Sequence, residues 1–159
     1  MIKIKKSQCA DTRTCDWTNV SKDELLKNSR QHIRDVGEGI NYLIELMEDA
    51  AYSHDHTKIV NIDEFHNDFK TGFTTTDWWQ MHQQKERHHL KDPAYVQDDV
   101  NLIDILEMIV DGVMAGLART GKYRKEDIPD SLLRKAFDNT IDQLLKEVEV
   151  EKEELNGTI

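Results

Sequence analysis

Residues 98–120 read DDVNLIDILEMIVDGVMAGLART, and this stretch decides the fold class. Leu102, Ile105, Leu106, Ile109, Val110, Val113 and Leu117 recur at helical steps, so they share one broad apolar face of a helix spanning about Asp98 to Thr120. Asp104, Glu107 and Asp111 line a polar stripe on the opposite side. Gly121 follows immediately and suits the left-handed residue that closes a helix.

The same periodicity extends outward in both directions. Pro129 opens a last helix through Leu132, Leu133, Phe137, Ile141, Leu144 and Leu145. Upstream, Thr76-Asp77 caps a helix from Trp78 to about His89, which Asp92-Pro93 terminates. Ser21-Lys-Asp-Glu24 is a capping-box pattern that starts a first helix. Ile33, Val36, Ile40, Leu43, Ile44 and Met47 carry that helix to about Asp49. Gly37 and Gly39 weaken it by up to about 1 kcal/mol each, which marks a place of close packing or a kink. A short helix is expected over Ala50 to Lys58, another after Asn61-Ile-Asp-Glu64, and a loop over Thr71 to Thr76.

Seven Gly and two Pro leave few chain breakers, which favours long helices over many short strands. The only strand-like alternation, Ile2-Lys-Ile4, is too short to define a strand by itself. The expected architecture is therefore all-α: a compact single-domain bundle of about six helices. An irregular segment is expected over 1–20, the helical domain over 21–145 and a charged tail over 146–159, with Lys146 to Glu154 solvated.

Composition bounds the function. The 159 residues carry 21 Lys+Arg against 31 Asp+Glu, a net charge of -10, which excludes a generic nucleic-acid binder lacking a basic face. Hydrophobic residues make up 38%, yet aromatic residues and periodic aliphatic runs exclude a disordered chain. No apolar run approaches the roughly 20 residues that span a bilayer, and the start does not read as a signal peptide, so a cytoplasmic protein without membrane attachment is expected. Cys9 and Cys15 lack a second pair to complete a zinc site and are expected as reduced thiols.

Histidine is the anomaly. Six of the seven fall between His54 and His89. Imidazole and carboxylate together are the usual ligands of divalent iron, manganese, nickel and zinc. His54-Asp55 is an adjacent pair with Lys58 one turn on, His82 and His89 are seven apart, and His88 stands beside His89. His32 lies in the middle of the first helix. His56 and His66 are expected at the surface or behind the ligands.

In order, these are a His, then His-Asp-x-x-Lys, then a His, then His-His, then an Asp. That order resembles the HD-domain superfamily of metal-dependent phosphohydrolases, all-helical proteins named for their His-Asp pair. It also resembles small phage and bacterial proteins of that type. The matching segments are His54-Asp-His-Thr-Lys58, Glu64-Phe65, Trp79 to His82, His88-His89 and Glu107-Met-Ile-Val-Asp111, within roughly Asn28 to Lys122.

The resemblance implies a set of roles. His32, His54, Asp55, His82, His88 or His89, and Asp111 would ligate metal, with Asp55 bridging two ions. Asp104 competes with Asp111 for the closing carboxylate, and Glu64, Asp104 and Glu107 would stand behind the ligands. Lys58, where single-metal nucleotidases of the superfamily carry Glu, would contact the substrate's phosphate, assisted by Lys85 and Arg87. The implied activity is hydrolysis of a nucleotide or other small phosphoester by a metal-activated hydroxide, with Lys58 and Asp55 as the catalytic residues. Two further activities fit the same pattern: a mixed-valent diiron oxygenase of HD type, and a non-catalytic metal-binding protein of phage origin that acts on a host partner in the host cytoplasm. His82 and His88 stand closer than in the well-studied dinuclear enzymes, and the glycine-rich signature of the cyclic-dinucleotide branch is absent.

Gly116-Leu-Ala-Arg-Thr-Gly121-Lys122 matches a phosphate-binding loop up to Tyr123, which replaces the required Ser or Thr. It also follows a helix, whereas that motif follows a strand. It is read as a helix end.

Overall fold

The computed structural model describes residues 1–6, 9, 11–13, 15–74, 77–123, 125 and 127–151. The chain forms two compact units, Met1–Ile44 with Asp142–Ile159, and Glu45–Ile141. The described residues are mostly helical with one short two-stranded sheet, so the all-α expectation is corrected at β1 (Ile2–Lys5) and β2 (Val148–Glu151). No helix among the described residues is long and apolar enough to cross a membrane.

In the first unit, β1 (Ile2–Lys5) pairs in parallel with β2 (Val148–Glu151). The register sets Ile2 against Val148 and Ile4 against Val150, and Lys3 against Glu149 and Lys5 against Glu151. Apolar pairs thus share one face of the ribbon and opposite charges the other, the arrangement that favours cross-strand pairing. The alternation at Ile2-Lys-Ile4 is a strand because its partner lies more than 140 residues away in sequence. The expected solvated run from Lys146 accordingly ends a helix and builds β2, while its continuation past residue 151 lies outside the described residues.

Helix α1 (Lys22–Ser53) opens as the capping pattern requires, with the Ser21 hydroxyl accepting the Glu24 backbone N–H at 3.2 Å. It takes in Ala50 to Ser53, the first part of the stretch expected as a separate helix, and breaks at His54-Asp55, after which His56 to Lys58 fall in the next helix. Close packing is not why Gly37 and Gly39 are there, since a Cβ on either meets nothing within 4 Å.

The second unit holds α2 (His56–Val60), α3 (Ile62–Lys70), α4 (Trp78–Lys85) and α5 (Leu102–Thr120). It also holds most of α6 (Asp130–Glu147). Asp68, wholly buried, accepts the Trp79 backbone N–H at 3.1 Å and so ties the end of α3 to the start of α4. Thr76, expected to share that cap, lies outside the described residues.

Helix α5 starts later than Asp98, because Asn101 caps it. The Asn101 side chain accepts from Ile103 N at 2.8 Å, and Asp104 returns a bond to Asn101 N at 2.9 Å. Val100, fully buried, sits in the extended segment before that cap. It packs with Leu90, Ile105, Met108 and Ala136, and Leu132 and Ile128 close over them. Thr140 and Asn139 of α6 hold this segment through Leu102 N at 3.0 Å and the Val100 carbonyl at 2.8 Å.

Gly121 closes α5 with φ 67°. A Cβ on Gly116 would lie 2.9 Å from the Lys122 carbonyl oxygen, so the second glycine lets the chain turn back over the helix end. The Gly116–Lys122 pattern is therefore satisfied by helix termination.

Candidate metal centre

The break between α1 and α2 is built from the His-Asp pair itself. Asp55 adopts the left-handed region, φ 55° and ψ 20°, and stands at the N-terminal cap of α2 without capping it. Among non-glycine residues Asp and Asn tolerate this conformation best, and it persists here because the neighbouring structure over-determines it. The carboxylate consequently turns away from the helix terminus toward four imidazoles.

Two ligand-competent groups share that carboxylate. His54, Asp55 and His88 form one, and Asp55, His82 and His89 the other; in each, the ligand atoms lie within 4.8 Å of one another. His54 Nε2 is 3.5 Å from Asp55 Oδ2, while His82 Nε2 and His88 Nε2 are 3.4 and 3.7 Å from Asp55 Oδ1. His89 Nε2 lies 2.9 Å from His82 Nε2. Asp111 extends the first group, its Oδ1 3.8 Å from His54 Nε2. Lys58 Nζ pairs with Asp55 Oδ2 one turn along α2.

The imidazoles are oriented from behind. Glu107 Oε1 accepts from Nδ1 of His54 at 2.8 Å and from Nδ1 of His88 at 2.9 Å. A carboxylate only accepts, so both rings carry a proton on Nδ1, and in the neutral form each would present Nε2 as a lone pair. His82 Nδ1 meets the Thr57 hydroxyl at 2.6 Å, and that hydroxyl donates to Glu86 Oε1 at 2.6 Å. Rings complete the enclosure: Trp78 stacks on the fully buried His82 at 4.8 Å, and Trp79 contacts both His82 and His89.

Burial pushes the His82 pKa down to about 4, helped by nearby Lys58, and His89 down to about 3, helped by His88 and His82. Both are neutral near pH 7, the form that ligates metal. Burial opposes charge on Asp55 and Glu107, but Lys58 and the flanking histidines outweigh it and both carboxyls lie below their ordinary range. Burial likewise works against charge on His88, and the Glu107 bond outweighs it, so that pKa is raised.

The fit to a cation is tested by what is left without a partner. Asp55 Oδ1 and His88 Nε2 are buried atoms with no hydrogen bond, and both face the shared centre. Buried polar atoms are almost always satisfied, so an orphaned carboxylate oxygen aimed at an orphaned imidazole nitrogen marks a place for a positive ion. These His and Asp groups could hold a metal ion.

The other expected residues fall elsewhere. His32 belongs to neither group and lines a cavity of about 350 Å³ in the first unit with Ile2, Ile4, Asp35 and Val36. Asp104 is buried against Arg87, with Nε–Oδ1 2.7 Å and Nη2–Oδ2 2.9 Å, so Asp111 is the carboxylate left near His54. Arg87, expected at the substrate, bonds Asp99 as well as Asp104. Lys85 is exposed at the end of α4. Glu64 is exposed on α3 and lines a separate cavity with Asn61 and Trp78, while Glu107 and Thr57 bond the imidazole Nδ1 atoms. His56 and His66 are exposed.

His88 and His89 are not on a helix. Helix α4 stops at Lys85, Glu86 turns to extended backbone, and the pair sits in a tight turn that brings one histidine to each group. Sequence reasoning missed Thr57 and Glu86. Thr57 stood inside the His-Asp segment as an ordinary helix residue, and Glu86, four after His82, was hidden between Lys85 and Arg87.

Comparison with known proteins finds no matching family model, curated protein or solved structure.

Proposed function

We propose that the chain is a metal-dependent phosphohydrolase of HD type that holds two divalent ions and acts on a nucleotide or another small phosphoester. The observation that carries this reading is the Asp55 carboxylate, common to the His54/His88 group and the His82/His89 group, with the Lys58 ammonium beside it. Divalent ions bound there would supply the Lewis acidity that phosphoester hydrolysis requires.

The chain's own residues complete the reading. The Asp55 carboxylate reaches into both groups, its Oδ1 near His82 and His88 and its Oδ2 near His54. Lys58, which pairs with Asp55, would lie within reach to offset charge on a phosphoryl oxygen beside the ions that Asp55 would hold. Trp79 and the buried Trp78 exclude water from the His82 side. A net charge of -10 repels anionic substrate at long range, so local cations have to supply attraction at the site.

The experiment is phosphate release by protein loaded with manganese, iron, nickel or zinc, screened over nucleotides and bis(p-nitrophenyl) phosphate. Activity that vanishes in Asp55→Ala supports the reading. Inactivity on every phosphoester, with metal bound, overturns the hydrolase; oxygen consumption by the iron form would replace it with the oxygenase.

A further inference from the structure

We infer that Glu86, acting through the Thr57 hydroxyl, is a positioning residue that fixes His82 in the tautomer whose Nε2 lone pair faces Asp55; this deepens the metal-centre reading and rests on it for its consequence. Thr57 has one hydroxyl proton and two candidate partners. The Glu86 carboxylate can only accept, and Thr57 Oγ1 reaches its Oε1 at 2.6 Å. The Thr57 backbone N–H donates to the same oxygen at 2.9 Å, which fixes the carboxylate from two directions.

The hydroxyl proton is thereby committed to Glu86, and the hydroxyl can only accept from His82 Nδ1 at 2.6 Å. His82 therefore carries its proton on Nδ1. The chain closes on itself, because the Glu86 backbone N–H donates to the His82 carbonyl at 2.9 Å. Thr57, His82 and Glu86 are all buried, so no solvent molecule competes for these bonds.

The consequence appears on the opposite edge of the ring. With Nδ1 protonated and the ring neutral, His82 Nε2 is a lone pair directed at Asp55 Oδ1 and at His89 Nε2, 2.9 Å away. In the metal-free protein His89 satisfies it by donating from Nε2. A cation on the Asp55/His82/His89 group would take that lone pair instead, and a neutral His89 ligating through Nε2 would carry its proton on Nδ1. The two groups are supported differently: Glu107 contacts both imidazoles of the first directly, whereas the second depends on a neutral hydroxyl relaying a carboxylate. Loss of that hydroxyl weakens the second group alone.

The test reads the tautomer and the metal separately. Long-range ¹H–¹⁵N correlation on metal-free protein should show His82 protonated at Nδ1 in the wild type and in Thr57→Ser, and shifted toward Nε2 in Thr57→Val. Cobalt(II) titration followed in the visible spectrum should show two binding steps in the wild type and in Thr57→Ser. In Thr57→Val one step should weaken by about 10–100-fold and the other should not move. A wild-type His82 protonated at Nε2 overturns the inference, and so does a Thr57→Val protein that binds both ions as tightly as wild type. If His82 has the assigned tautomer but no cobalt binds to wild type, the relay stands and the metal centre falls. Should Thr57→Val fail to fold, the wild-type tautomer still decides.

Discussion

Arg87 lays its guanidinium against the buried carboxylate of Asp104, with Nε–Oδ1 at 2.7 Å and Nη2–Oδ2 at 2.9 Å. The contact joins the turn that carries His88 and His89 to the first turn of α5, the helix that carries Glu107 and Asp111. It is a two-pronged charge-assisted pair, and Asp104 also completes the Asn101 capping box.

Removing the arginine leaves the 4% exposed Asp104 side chain as an uncompensated anion. Breaking a fully buried pair costs roughly 3–5 kcal/mol. The Arg87 side chain is 36% exposed, so Arg87→Ala should cost less, about 2 kcal/mol. Arg87→Lys should recover little, because an ammonium cannot span both oxygens. Urea unfolding of the three proteins checks this, and an alanine variant as stable as wild type would show the pair to be idle.

Glu107 offers one oxygen to two histidines, and replacing it separates orientation from charge. In Glu107→Ala the Nδ1–H groups of half-buried His54 and buried His88 lose their acceptor, for a loss of about 2 kcal/mol in stability. Glu107→Gln keeps an oxygen acceptor but not the anion. It should fold with little loss while metal affinity falls about 10–100-fold. Calorimetric titration with manganese distinguishes them; equal metal affinity in wild type and Glu107→Gln would remove Glu107 from the site.

Parts of this molecule were legible in the sequence because their signals are local. The apolar step of Leu102 to Leu117, the Gly121 terminator and the His54-Asp55 pair with Lys58 all report on neighbours within a turn or two. The β1–β2 pairing was not, because it couples four-residue segments from opposite ends of the chain. Nor was the end of α4. Its helical pattern continues to His89, but buried Glu86 bonds Thr57, 29 residues away in sequence, and leaves helical geometry. His82 and His89 were expected together because of a helical spacing; they meet at 2.9 Å because the chain folds back in a turn. Asp104 and Asp111 were indistinguishable by spacing, and Arg87 separates them by claiming the first.

Metal removal should be visible as lost stability. An ion that binds only the folded chain adds about 2.7 kcal/mol when its free concentration is 100-fold above its Kd. For a chain of this size that corresponds to about 5–10 °C in Tm. Chelation of metal-loaded protein should lower Tm by that amount, and added manganese should restore it. An unchanged Tm after chelation and dialysis, with metal shown to be absent, would mean that the folded state gains nothing from an ion at Asp55.

Asp55 combines two demands that substitutions can pull apart, the left-handed backbone and the shared carboxylate. Asparagine tolerates φ 55° nearly as well as aspartate, whereas alanine does not. Asp55→Asn should therefore fold close to wild-type stability in the absence of metal, less the ion pair with Lys58. Asp55→Ala should lose a further 1–2 kcal/mol or so to backbone strain. Both should fail to hold two ions, because neither keeps the carboxylate that the two groups share. Elemental analysis of the purified variants beside their melting curves reads both effects. Two ions retained by Asp55→Asn would show that the four histidines suffice without the carboxylate between them.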